Sequence, residues 1–120
     1  MRESTLRLKS YAFAIRVVKL SQFLQATKKE FILSKQIIRS GTAIGALIRE
    51  GAFAESKVDF AHKLSIALKE ANETDYWLSL LKDTDFITDV MYQSLSKDCQ
   101  EIMHMLIASV KTAKNIKSNK

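Results

Sequence analysis

No proline occurs anywhere in the 120 residues. Proline removes an amide donor and clashes with the carbonyl one turn back, so its absence leaves helices free to run unbroken. The apolar pattern uses that freedom. Phe60, Leu64, Ala67, Ala71, Thr74, Leu78 and Leu81 recur in alternating steps of four and three, the period of left-handed helix packing at a shallow crossing angle. An all-helical chain is expected.

A first helix is predicted over Ser4 to Ala26, with Leu6, Ser10, Phe13, Val17, Leu20 and Leu24 as its inward stripe. A second is predicted from near Glu30 to Glu50, with Leu33, Ile37, Ile44 and Ile48 facing the core and Gly51 as a left-handed terminator. Gly41 and Gly45, one turn apart on it, cost helix stability relative to alanine and so point to a close approach by another helix, the favoured reason, or by a ligand. Ser56 followed by Asp59 resembles a capping box and should start a third helix near Lys57. After a polar turn over Asp83 to Thr88, a fourth helix should begin at Thr88 or Asp89 and carry Met91, Leu95, Cys99, Ile102, Leu106 and Ala113 before fraying into Lys114 to Lys120. Helices joined by such short loops are expected to be antiparallel neighbours.

Length and composition fit one domain over residues 1–120, with 47% of the chain apolar and 27% charged. The single cysteine, Cys99, has no internal disulfide partner, and the N-terminus lacks the apolar core of a secretory signal, so a cytoplasmic home is the expectation. The apolar stretch from Thr42 to Ile48, bounded by Arg39 and Arg49, falls far short of the ~20 residues that cross a bilayer, so no membrane partner is expected.

Glu30-Phe31, Gln36, Arg39-Ser40, Ile44 and Glu50-Gly51, followed by the run from Ser65 to Leu78 with its Leu-Lys-Glu-Ala-Asn-Glu-Thr-Asp-Tyr-Trp-Leu ending, resemble the bacterial four-helix-bundle proteins associated with intervening sequences in 23S ribosomal RNA. The likeness runs over roughly residues 8 to 115. It implies a small antiparallel bundle that assembles as a homopentamer. It also implies kinship with the accessory protein of diversity-generating retroelements, which engages a reverse transcriptase and nucleic acid. No catalytic residue comes with the resemblance. Leu47 stands where the family often has asparagine, so a role tied to that amide does not carry over.

The formal charge of +6 is unevenly spread, with a net +5 in residues 1–30 and −2 in residues 57–86. In an up-down-up-down bundle, Arg2, Arg7, Lys9, Arg49, Lys57, Lys63, Lys111 and Lys114 collect at one pole, and Arg16 extends the strip begun by Arg2 and Lys9. The opposite pole sets Lys28, Lys29 and Lys82 against Asp83, Asp85 and Asp89. A basic pole suits a phosphate backbone, making RNA or DNA, or an enzyme that handles them, the expected partner. The sequence shows no aromatic-rich stacking strip, glycine clamp or zinc framework, so recognition should be led by the backbone.

Tyr11, Ile15 and Val18 with Leu8 on the first helix, and Ile66, Trp77 and Leu80 on the third, lie away from the core stripes. An exposed tryptophan among aliphatics suggests a subunit contact. Enzyme chemistry is not expected. Glu101-Ile-Met-His104 and Asp59-Phe-Ala-His62 imitate the carboxylate-histidine spacing of di-metal bundles, but both histidines point nearly opposite the core stripes. Glu70 and Glu73 are a possible acid and base but are more simply salt-bridged, and Cys99 has no activating neighbour in sequence. The expectation is therefore a non-enzymatic, all-α, antiparallel up-down-up-down four-helix bundle without metal or cofactor. It forms a closed homo-oligomeric ring, with a pure protein-interaction scaffold as the alternative.

Overall fold

Helix starts form where side chains supply acceptors for otherwise orphaned amides. The structure, a computed structural model, describes the backbone of residues 2–118 and the side chains of 5–115. Its four helices are α1 (Arg2–Ala26), α2 (Leu33–Gly51), α3 (Lys57–Asp83) and α4 (Asp89–Ser118), and no strand occurs among the described residues. At α3 the Ser56 hydroxyl accepts the Asp59 amide at 3.1 Å, and the Asp59 carboxylate accepts the Glu55 amide at 3.3 Å. At α4 the Thr88 hydroxyl accepts the Met91 amide at 3.1 Å.

The start of α2 lies later than its apolar pattern suggests, because Glu30 acts as a cap rather than as a helical residue. Its buried carboxylate accepts the amides of Ile32, Leu33 and Ser34 at 3.2, 3.0 and 2.8 Å. Gly51 is not a left-handed terminator: no glycine has positive φ, and α2 runs out through turns in which Ala52, Phe53 and Ala54 donate to Arg49, Glu50 and Gly51. The left-handed positions are Lys29 and Asp85. Asp85 ends α3 in a Schellman arrangement, with Phe86 donating to Leu81 O at 2.9 Å and Asp85 to Lys82 O at 3.0 Å. The following turn is not wholly polar, since Ile87 is buried in the core.

The stripe from Leu6 to Leu24 is buried throughout, as are Ile37, Ile44 and Ile48 on α2. Leu64 to Leu81 on α3 and Leu95, Cys99, Ile102, Leu106 and Ala113 on α4 complete the interior. Leu33, Phe60 and Met91 are half-buried at its margin. Each helix packs on its sequence neighbours and α4 closes on α1, giving a body of 53 × 22 × 22 Å. Rising numbers on one helix meet falling numbers on the next. Ser10 faces Gly45 and Val17 faces Gly41, Glu50 meets Lys63 and Ser40 meets Thr74, and Ala71 meets Cys99 and Ser79 meets Tyr92. A Cβ on Gly41 would lie 2.7 Å from Val17 Cγ1, whereas one on Gly45 would meet the carbonyl oxygen and the hydroxyl of Ser10, both at the ordinary contact distance of 3.5 Å. Close helix packing thus explains Gly41, and Gly45 forms part of a groove floor.

Candidate nucleic-acid interface

Leu6, Ile48, Phe60, Leu64 and Ser109 line one small crevice, so the start of α1, the end of α2, the start of α3 and the last third of α4 meet at a common end. Around that end Arg7, Arg49, Lys57, Lys111 and Lys114 are exposed and make no ion pair or side-chain hydrogen bond among the described residues. Two other basic residues are engaged: Lys63 with Glu50 at 3.2 Å, and Lys9 more loosely with Glu101 at 3.9 Å. The side chains of Arg2, Lys117 and Lys120 lie outside the described residues.

Arg16 belongs to a different place. It sits on the α1–α4 seam, where its guanidinium donates to Asp98 at 2.6 Å, to the Ser94 hydroxyl at 2.8 Å and to the Ser94 carbonyl at 3.3 Å. Spacing along α1 aligns Arg16 with Lys9, but the acceptors on α4 hold it inside the subunit.

Beside the basic end, α1 and α2, with the turn after α2 and the start of α3, line an open groove of about 700 Å³. Arg7 and Arg49 stand on its two sides, Gly45 and Ala14 keep its floor low, and Tyr11 and Phe53 line it. Both rings are accessible, Tyr11 at 60% and Phe53 at 83% of full exposure. The acidic residues here are already bonded within the chain, Glu50 to Lys63 and Asp59 to the Glu55 amide.

The apolar surface divides unequally. On α1, Leu8 at 72%, Tyr11 at 60% and Ile15 at 42% are open to solvent, and Val18 is half-buried. On α3, Ile66, Trp77 and Leu80 are all half-buried. Trp77 is not the exposed tryptophan expected from its register. It packs against the core, donates Nε1–H to Glu73 at 3.0 Å and meets Tyr76 edge-on at 5.0 Å between ring centroids. A wide core stripe reaches it.

Glu70 and Glu73 are paired with Arg39 of α2. The hydrogen bond from Trp77, and then the Arg39 guanidinium, hold the Glu73 carboxyl below its ordinary range, while its partial burial opposes them. That is the environment of a structural ion pair, not of a carboxyl poised to take up protons near neutrality. His62 and His104 are both exposed. Cys99 is buried with Sγ 3.3 Å from the Ala71 carbonyl, and burial, helped by Asp75 and Asp98, pushes its thiol up to about 12. A thiol so raised is inert at neutral pH. No helix is long and apolar enough to cross a membrane among the described residues.

A family model described as 23S rRNA-intervening sequence protein matches residues 2–108. The chain belongs to this family. A crystal structure of a protein of unknown function from the S23 ribosomal protein family of Bacteroides thetaiotaomicron VPI-5482 is similar to it, with a TM-score of 0.91 and 52% identity over 92% of this chain and 99% of that chain. No curated protein matches. Leu47 is half-buried against the core, an apolar contact. Phe53 is the groove residue that sequence patterning missed. It follows Gly51 outside any periodic stripe, and only the turn after α2 brings it alongside Tyr11.

Proposed function

We propose that this protein is a non-enzymatic, cytoplasmic accessory factor that binds nucleic acid through its basic end, acting beside an enzyme that handles RNA or DNA. Its four helices run up-down-up-down and its copies close into a ring, five-fold by analogy with the family. The observation that carries the reading is the gathering of Arg7, Arg49, Lys57, Lys111 and Lys114 at one end with no acidic partner among the described residues. An exposed cation next to no carboxylate keeps its full charge for a phosphate, and each phosphate it neutralises releases counterions. Ring assembly, supported by the half-buried apolar side of α3 at Ile66, Trp77 and Leu80, multiplies that charged end.

Fluorescence anisotropy with structured RNA and with duplex DNA across a salt series tests it, alongside light scattering for the assembly. Affinity should fall steeply with salt. Glutamine at Arg49, Lys57 or Lys111 should reduce the slope of log affinity against log salt by about 0.7 to 0.9 per contact removed. Arg16→Gln should leave that slope unchanged, because its guanidinium is bound to Asp98. Absent or salt-independent binding would support the competing reading, a protein-interaction scaffold that uses the open apolar strip of α1.

A further inference from the structure

We infer that the α1–α2 groove is a site for unpaired nucleotides, in which two bases stack on Tyr11 and Phe53 and the phosphate between them is held by Arg7 and Arg49. The inference rests on the nucleic-acid reading above and narrows it to single-stranded or looped RNA or DNA.

The register of the two helices sets the order of these groups. Ser10 faces Gly45, so one turn further toward the basic end Arg7 and Arg49 come level with each other across the groove. Tyr11 lies one turn to the inner side of that level and Phe53 one turn to the outer side, past the end of α2. Along the axis the attachment points therefore run Tyr11, the two arginines, Phe53.

Free ring faces discriminate between nucleic-acid forms. Neighbouring bases within a duplex strand are stacked on each other at about 3.4 Å, so a duplex cannot offer a free base face to either ring. A single strand can, because its bases splay and stack on aromatic side chains while the backbone follows a positive groove. The low floor at Gly45 and Ala14 leaves room for the sugar-phosphate link. Among the described residues no carboxylate pairs with the two arginines, Glu50 being bonded to Lys63 and Asp59 to a backbone amide. Exposure of both rings costs the folded chain apolar surface in water, and stacking against a base removes it.

The test compares a labelled single-stranded RNA of mixed sequence without self-complementarity with the duplex it forms with its complement, at matched salt. Binding should favour the single strand. Tyr11→Ala and Phe53→Ala should each weaken single-strand binding by about 5-fold or more while leaving duplex binding unchanged, and Tyr11→Phe should retain it. Circular dichroism and light scattering on each variant should match the parent, since both side chains are exposed. Equal binding of the two forms, with the alanine variants indifferent, overturns the inference and leaves backbone-led binding at the pole. Dissociation of the assembly by Tyr11→Ala overturns it too, by making Tyr11 a subunit contact. Failure of both RNAs to bind at low salt removes the parent reading, and this one with it.

Discussion

The α2–α3 seam and the α1–α2 groove share a helix and treat their polar groups in opposite ways. Along the seam Arg39 reaches Glu70 and Glu73, Glu73 also accepts from Trp77, and the buried hydroxyls of Ser40 and Thr74 are bonded at 2.9 Å. In the groove Arg7 and Arg49 have no partner among the described residues, and two aromatic rings face solvent. Charge alone does not mark a binding surface. Arg39 and Arg49 lie on the same helix and carry the same charge, but only the second is left for something outside the subunit. Changes in the seam should therefore alter stability, and changes in the groove should alter binding.

The largest stability effect is expected where α1 and α2 come closest. Gly41→Ala places a methyl 2.7 Å from Val17 Cγ1, and Val17 is fully buried with no room to swing away. The clash should cost about 1 to 3 kcal/mol in urea unfolding, outweighing alanine's better helix propensity. Next is Glu30→Ala, which strips the acceptor from three amides at the start of α2. A loss of about 1 to 2 kcal/mol is expected, with the fraying of α2 visible in amide exchange at Leu33 and Ser34. Neither change touches the groove lining, so neither should alter nucleic-acid affinity per folded molecule, and an affinity loss at either would show that packing away from the groove also governs binding.

Most of the bundle was legible because a helix with one buried side repeats in sequence. Every member of the α1 stripe from Leu6 to Leu24 is buried, and the Ser56 cap is formed at the predicted residue. Termini were harder to read. Glu30 and Asp85 act through hydrogen bonds and backbone angle, neither of which leaves a period, so Glu30 reads as a helical residue and the left-handed turn at Asp85 reads only as part of a polar loop. The basic end could be anticipated from helix order, but internal pairing could not. Arg16 and Lys63 count toward the sequence charge and are engaged by Asp98 and Glu50. The groove was least legible, since Tyr11 and Phe53 lie 42 positions apart and are joined only by the turn after α2.

Gly45→Ala sharpens the contrast with Gly41 by changing sign. Its added Cβ would meet the Ser10 carbonyl oxygen at 3.5 Å, an ordinary contact, so the gain in helix propensity is retained. Stability should rise by up to about 1 kcal/mol. The same methyl raises the groove floor, and single-strand binding should weaken while duplex binding does not.

The smallest effect is in the seam's ion pair. Arg39 and Glu73 are both more than a third exposed, so solvent screening keeps Arg39→Ala to below about 1 kcal/mol. The same pair predicts a direction with pH. The Glu73 carboxyl is held below its ordinary value by Trp77 and Arg39. The stabilisation is therefore complete above the unfolded carboxyl value of about 4.3 and is lost as pH falls through the folded one. Glu73→Gln should remove that part of the acid sensitivity while leaving stability near pH 7 only slightly lower. In the groove, Arg7→Ala and Arg49→Ala should shift stability by no more than about 0.5 kcal/mol at either pH, because no carboxylate among the described residues loses a partner. If the groove arginines proved as acid-sensitive as Arg39, they would have to be paired in solution, and the reason for placing a ligand between them would disappear.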